Sequence, residues 1–301
     1  MEVRGDPVLK LTAGNYALVL SAERGGSILD FTWRGEPLLR PTAGRSILDV
    51  ASFPLVPFSN RIAEGRFAWG GREHRIAPNM PESNHPHPLH GFGWLAKWET
   101  VEAECSRALL EHRYPGGEWP WPYRAAQEFR LSAAGLAIEL SLTNLGDGPM
   151  PAGIGFHPFF PRTPLTRYSG LHRGQWRNTP DCLPQSIDLR DYPRDWWDGA
   201  PVGDRAVDTV YTGRAGPLTI AWPERGLGIE IGCSPSLPYT AVYTPEGADW
   251  FCVEPVSHMT DAVNRGPEET GLVSLSPHGT LSATLTIRGY GRGEGRCLSP
   301  A

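Results

Sequence analysis

Four segments of this 301-residue sequence set polar side chains among residues that favour burial. In Phe58-Ser59-Asn60-Arg61-Ile62 the guanidinium of Arg61 offers a planar fork of donors suited to oxygen atoms or, with equal claim, a cap for loop carbonyls. In His85-Pro86-His87-Pro88-Leu89-His90-Gly91 three histidines fall within six residues. Such a cluster suits a metal, but the prolines break strand pairing and no nearby carboxylate completes a ligand set. His90, set before a glycine that admits close backbone approach, is better suited to donate to a ligand oxygen. In Gly155-Phe156-His157-Pro158-Phe159-Phe160 a glycine-rich strand carries His157 into an aromatic cluster, and histidine exchanges protons readily near neutral pH. A core histidine satisfied by a carbonyl is the competing account. In Trp250-Phe251-Cys252-Val253-Glu254-Pro255 a carboxylate ends an apolar run. Burial raises the pKa of such a group and makes it a better proton acceptor, with a structural salt bridge to arginine as the alternative.

No G-x-S-x-G elbow, P-loop, Rossmann glycine signature or H-E-x-x-H occurs, so serine hydrolases of that type, nucleotide users and zincins gain no support. What remains is an acid–base pair with hydrogen-bond donors in an aromatic setting. The sequence has eleven tryptophans, whose indoles pair an apolar face with an N–H donor, as a sugar ring pairs C–H faces with hydroxyls. Most are expected to fill a core, with Trp176, Trp196 or Trp197 as candidates for stacking on a sugar.

These residues need strands to hold them. Leu136, Ile138, Leu140 and Leu142 alternate with smaller or polar residues, as do Leu281, Ala283, Leu285 and Ile287, and both runs read as half-buried strands. The same period predicts strands over 123–131 and 227–231, and further strands over 16–20, 27–33, 98–104, 107–114, 150–156, 217–222, 239–243 and 250–254. Gly70-Gly71 divides two short extended runs between Arg66 and Ile76 and predicts a hairpin. Short helical turns fit 59–64 and 258–264. The 35 glycines and 30 prolines supply the reversals of an all-β chain. No repeat of 20–50 residues supports a propeller or solenoid. The stretch 162–203, with little alternation, reads as a surface excursion, and no boundary divides 1–301, which is taken as one domain.

Lys+Arg 28 against Asp+Glu 33 gives a net charge of −5, which disfavours nucleic acid and anionic membranes as partners. Neither a signal peptide nor an 18-residue apolar window is present, so the cytoplasm is the expected compartment. Cys105, Cys182, Cys233, Cys252 and Cys297 are odd in number and form no C-x-x-C pair, which argues against disulfides and zinc knuckles and suits a reducing environment.

With Asn60-Arg61, His90-Gly91, His157 and Glu254 in that order, the sequence resembles the aldose 1-epimerase (galactose mutarotase-like) family. The resemblance implies a large antiparallel β-sandwich, a sugar substrate and no cofactor or metal. It implies Arg61 and His90 as substrate-binding residues, His157 as the acid that protonates the ring oxygen, and Glu254 as the base that takes the anomeric proton. A sugar-binding aspartate matches Asp208, with Asp204 and Asp249 as rivals. The best-known galactose mutarotases carry motifs like Asn-His-Leu-His-Gly-Gly and Asn-His-Thr-Tyr-Phe-Asn, where this chain has His87-Pro88-Leu89-His90-Gly91-Phe92 and Gly155-Phe156-His157-Pro158-Phe159-Phe160. The resemblance is thus to a broader bacterial branch. Two rivals stand beside a mutarotase of free aldoses. One is a hexose-6-phosphate 1-epimerase, using Arg124, Arg162, Arg167 or Arg173 for the phosphate; the other is a non-catalytic sugar-binding or regulatory protein.

Overall fold

A computed structural model of the chain describes residues 7–80, 85–189, 196–266 and 270–291; Cys297 and the side chain of Asp204 lie outside the described residues. Two large antiparallel sheets dominate. The first has eleven strands, running Leu9–Ala13, Tyr16–Ser21, Ser27–Trp33, Ser52–Leu55, Gly155–Pro161, Trp250–Val256, Tyr239–Thr244, Val207–Thr212, Gly174–Asn178 and Pro184–Asp188, with Glu36–Pro37 beside Ser27–Trp33. The second has nine: Ala200–Pro201, Arg167–Leu171, Ala215–Trp222, Leu227–Cys233, Thr280–Gly291, Gly135–Asn144, Tyr123–Ser132, Arg107–Tyr114 and Glu99–Ala103. No helix among the described residues is long and apolar enough to cross a membrane.

The inward positions of both sheets meet in one core. Phe129, Ile138, Leu140, Leu285 and Ile231 from the nine-stranded sheet join Phe156, Phe160, Phe251 and Val253 from the other. Burying a side chain of this size stabilises the fold by about 1.5–3 kcal/mol relative to exposure. The predicted hairpin forms as Arg66–Trp69 paired with Arg72–Arg75. The predicted helical turns shrink to the single 3-10 turns Ala63–Gly65 and Ala262–Asn264.

Two expectations change. The predicted strand 150–156 is two strands, Met150–Ala152 and Gly155–Pro161, in different sheets. The stretch 162–203 is no simple surface excursion: Arg167–Leu171 and Ala200–Pro201 extend one sheet, and Gly174–Asn178 and Pro184–Asp188 extend the other. Short edge strands bury only alternate residues over three to five positions, and prolines and bulges such as that between Arg177 and Asn178 interrupt their period.

The strands Gly155–Pro161 and Trp250–Val256 lie at the middle of the eleven-stranded sheet and are buried on both faces. One face meets the core. The other meets a second apolar cluster in which Val50, Leu89 and Trp94 from loops cover Phe53, Leu55, Phe159, Cys252 and Val256. Burial on both sides explains their nearly unbroken apolar sequences.

Candidate active site

Register alone assembles the centre of the site. Gly155 pairs with Val256 and Phe159 with Cys252, which places His157 opposite Glu254; His157 pairs on its other side with Phe53, and Glu254 with Ala241. The next row on the same face runs Phe159, Cys252, Tyr243, Asp208. Residues brought from across the sequence thus sit one strand spacing apart, about 4.8 Å. His157 Nε2 lies 3.3 Å from Glu254 Oε1.

Loops supply the rest. Asn60 and His90 both adopt left-handed backbone, at φ 57° and 60°, and clasp each other: His90 N–H donates to the Asn60 carbonyl at 2.9 Å, and Asn60 N–H donates to His90 Nδ1 at 3.2 Å. The second bond puts the His90 proton on Nε2, ready to donate to an oxygen. Gly91, at φ 72°, passes so close to Val56 that a Cβ there would lie 2.0 Å from the Val56 carbonyl oxygen. Asn79 fixes this loop by donating to the carbonyls of Leu89 and Gly91, and Trp94 Nε1 donates to the same two.

Arg61 is held on three sides. Its Nη2 pairs with Asp208 Oδ2 at 3.1 Å, its Nη1 donates to Asn60 Oδ1 at 3.1 Å, and its Nε donates to His85 Nε2 at 3.2 Å. The last bond sets the His85 proton on Nδ1, which donates to the His87 carbonyl. His87 accepts the Glu64 N–H and faces Asp181. The three clustered histidines therefore part: His85 braces Arg61, His87 ties loops together, and His90 stands against His157, at 5.0 Å between ring centroids.

A cavity of about 380 Å³ is lined by all five sequence-predicted residues, Arg61, His90, His157, Asp208 and Glu254. Asn60, His85, Leu48, Met80, Leu89, Phe159, Tyr243 and Trp250 complete it. Trp250 and Phe159 were not singled out, although even-numbered steps from Glu254 and His157 along their strands put them on the same face. Leu48 and Met80 carry no sequence signal. Trp176, Trp196 and Trp197 do not line the cavity; Trp196 is packed on Tyr168 and Trp176 beneath Arg265. Of the rivals for Asp208, Asp249 does not line the cavity.

Burial governs the charges. It drives Glu254 well above the ordinary carboxylate range, with Asp208 adding to the rise and Arg61 opposing it. It drives His157 down to about 3, aided by Arg40, and takes His90 well below its usual value. Phe53 stacks on the His157 imidazole at 4.4 Å between centroids, and Phe159 lies at 4.6 Å. Burial thus favours the uncharged form of each member of the pair. Opposed perturbations of adjacent groups in a cleft mark a site for proton transfer.

The aldose 1-epimerase family profile matches residues 7–288. The uncharacterized protein YphB of Escherichia coli K12 is 33% identical over 297 residues, spanning 92% of this chain and 97% of its own length. The crystal structure of an Escherichia coli K12 candidate aldose 1-epimerase superposes with a TM-score of 0.88 at 32% identity, covering 95% of this chain and all of the other. A galactose mutarotase-like protein of Clostridium acetobutylicum shares the fold, with a TM-score of 0.82 at 17% identity over 94% of each chain. The extent of these matches places the chain in the aldose 1-epimerase family.

Proposed function

We propose that the protein is an aldose 1-epimerase, acting in the cytoplasm on a free aldose and interconverting its α and β anomers. The contact between His157 and Glu254 on the cavity floor carries this reading. The anomeric hydroxyl and the ring oxygen share one carbon, so the groups serving them must themselves be neighbours. Glu254 takes the hydroxyl proton while His157 gives one to the ring oxygen; the C1–O5 bond breaks and a free aldehyde forms. Rotation about C1–C2 presents the other carbonyl face. The hydroxyl oxygen then attacks, His157 recovers its proton and Glu254 returns the other, so the pair ends as it began.

One proton serves the pair. The arrangement that opens the ring, carboxylate with imidazolium, differs from the resting one only by a shift of that proton from Glu254 to His157. Arg61 favours the shift by stabilising the carboxylate, and sugar hydroxyls donating to Glu254 add to it. His90 and the Arg61–Asp208 pair hold the remaining oxygens, and Trp250 and Phe159 offer faces to the ring's C–H groups.

The cavity favours an unphosphorylated sugar. Among the described residues Arg61 is its only arginine, and Asp208 already neutralises it. Arg124 pairs with Glu111 on the other sheet, Arg162 donates to the Pro245 carbonyl, and Arg167 and Arg173 lie outside the lining. Saturation-transfer NMR over a panel of aldoses and their 6-phosphates tests the reading. Accelerated anomer exchange of a free aldose, lost in Glu254→Gln and His157→Asn, is expected. Exchange that survives both substitutions overturns the residue roles, and sugar binding without exchange points instead to a binding protein.

A further inference from the structure

Behind the lining of the pocket, against His157 and Glu254, lies a third polar group that proton transfer does not employ. Cys252 stands between Phe159 and Tyr243 in the lower row of the site and two residues before Glu254, so its side chain shares the face of the catalytic pair. It is fully buried. Ligand atoms of His157, Cys252 and Glu254 all lie within 4.8 Å of one another.

We propose that His157, Cys252 and Glu254 form a binding site for a thiophilic divalent cation of the zinc type, one that occupies the pocket floor in place of sugar. The donor set selects the metal. Thiolate, imidazole and carboxylate together suit zinc or cadmium, whereas calcium and magnesium demand six or more oxygens. Zinc bonds of about 2.0–2.3 Å place tetrahedral ligand atoms roughly 3.4–3.7 Å apart. The 3.3 Å between His157 and Glu254 is close to that length, and separations within 4.8 Å ask the sulfur to move by no more than about 1 Å, within the range of a side-chain torsion.

Charge also balances. On binding, the thiol and the Glu254 carboxyl release their protons to solvent, and one thiolate with one carboxylate neutralises the double charge, as a buried site requires. His157 and Glu254 line the cavity, so the cation enters by the route a sugar would use. Three protein ligands with one open position is the arrangement of an accessible rather than a sealed zinc site. The cation blocks both groups of the pair, so it acts as an inhibitor and not as a participant in epimerisation.

Cadmium chloride added to chelator-treated full-length protein provides the test, read by equilibrium dialysis and by the ultraviolet charge-transfer absorption of cadmium thiolate. One cadmium per chain with a thiolate band is expected. The band should persist in Cys182→Ser, disappear in Cys252→Ser, and require at least tenfold more cadmium in Glu254→Gln, which keeps the sulfur. Circular dichroism on each variant establishes that it is folded, and Glu254→Gln carries the test if Cys252→Ser is not. An undiminished band in folded Cys252→Ser, unchanged affinity in Glu254→Gln, or no binding by the wild type overturns the site. None of these readings depends on whether the protein accelerates anomer exchange.

Discussion

On the nine-stranded sheet the outward positions of Tyr123–Ser132 and Gly135–Asn144 carry Arg124, Glu128, Arg130 and Glu139. At the centre of the eleven-stranded sheet they carry His157, Phe159, Cys252 and Glu254. Both sets obey the same alternation. On the first sheet water is the outer layer, and the charges meet across strands: Arg107 Nε lies 2.6 Å from Glu128, and Thr143 bonds Thr280. On the second the loops around Val50, Leu89 and Trp94 form the outer layer, so similar residue types are withdrawn from solvent and lose their ordinary titration. A carboxyl on a sheet holds its proton unusually tightly here because of what covers it.

Substitutions can break or sharpen this contrast. The largest effect falls on the covered pair: Glu254→Gln or His157→Asn should each lower anomer exchange by about 10²–10⁴-fold. The double variant should be little worse than either, because the two act as a unit. Exchange measured in Glu128→Gln, on the bare sheet, should match the wild type. Next comes the cover itself. Gly91→Ala forces a Cβ into the Val56 carbonyl at positive φ and should cost on the order of 1–3 kcal/mol by urea unfolding, with a loss of sugar affinity as His90 shifts.

A smaller effect is the pH dependence of stability. The folded state holds the Glu254 proton where the unfolded chain has lost it, so stability should fall as pH rises from the ordinary carboxylate range, about 4.3, towards the raised value. His157 acts at the other end. The unfolded chain protonates it below about 6.5 and the folded state only near 3, so stability should fall as pH drops through that window. Thermal unfolding across pH should show the alkaline decline flattened in Glu254→Gln and the acid decline flattened in His157→Asn. The smallest effect belongs to the exposed ladder: a double-mutant cycle on Arg107 and Glu128 should yield no more than about 1 kcal/mol, diminished by salt.

The legibility of the sequence follows the same division. Half-covered strands such as Arg107–Tyr114 announce themselves because one side must be polar, and the limits of that strand coincide with the expected 107–114. Arg61, His90, His157 and Glu254 were readable as polar interruptions in segments otherwise suited to burial, whereas Asp208 came only from the family resemblance, which left Asp204 and Asp249 as rivals. Leu48 and Met80 were not readable, because an apolar residue lining a cavity looks like one filling a core. Cys252 carried no functional signal either, because a buried cysteine in an apolar strand reads as core. The edge strands between Arg167 and Asp188 escaped notice because pairing at a sheet margin is set by the neighbouring strand more than by their own sequence.

The mutual clasp of Asn60 and His90 bears on how new sugar preferences could arise. Its bonds are made by main chain and ring nitrogen during folding, so an arriving sugar meets donors whose freedom has already been surrendered and loses little entropy in ordering them. The same economy makes that hinge intolerant of drift. Evolution of selectivity is then channelled to the rim, where Leu48 and Met80 take part in no such clasp and can be exchanged without unfastening it.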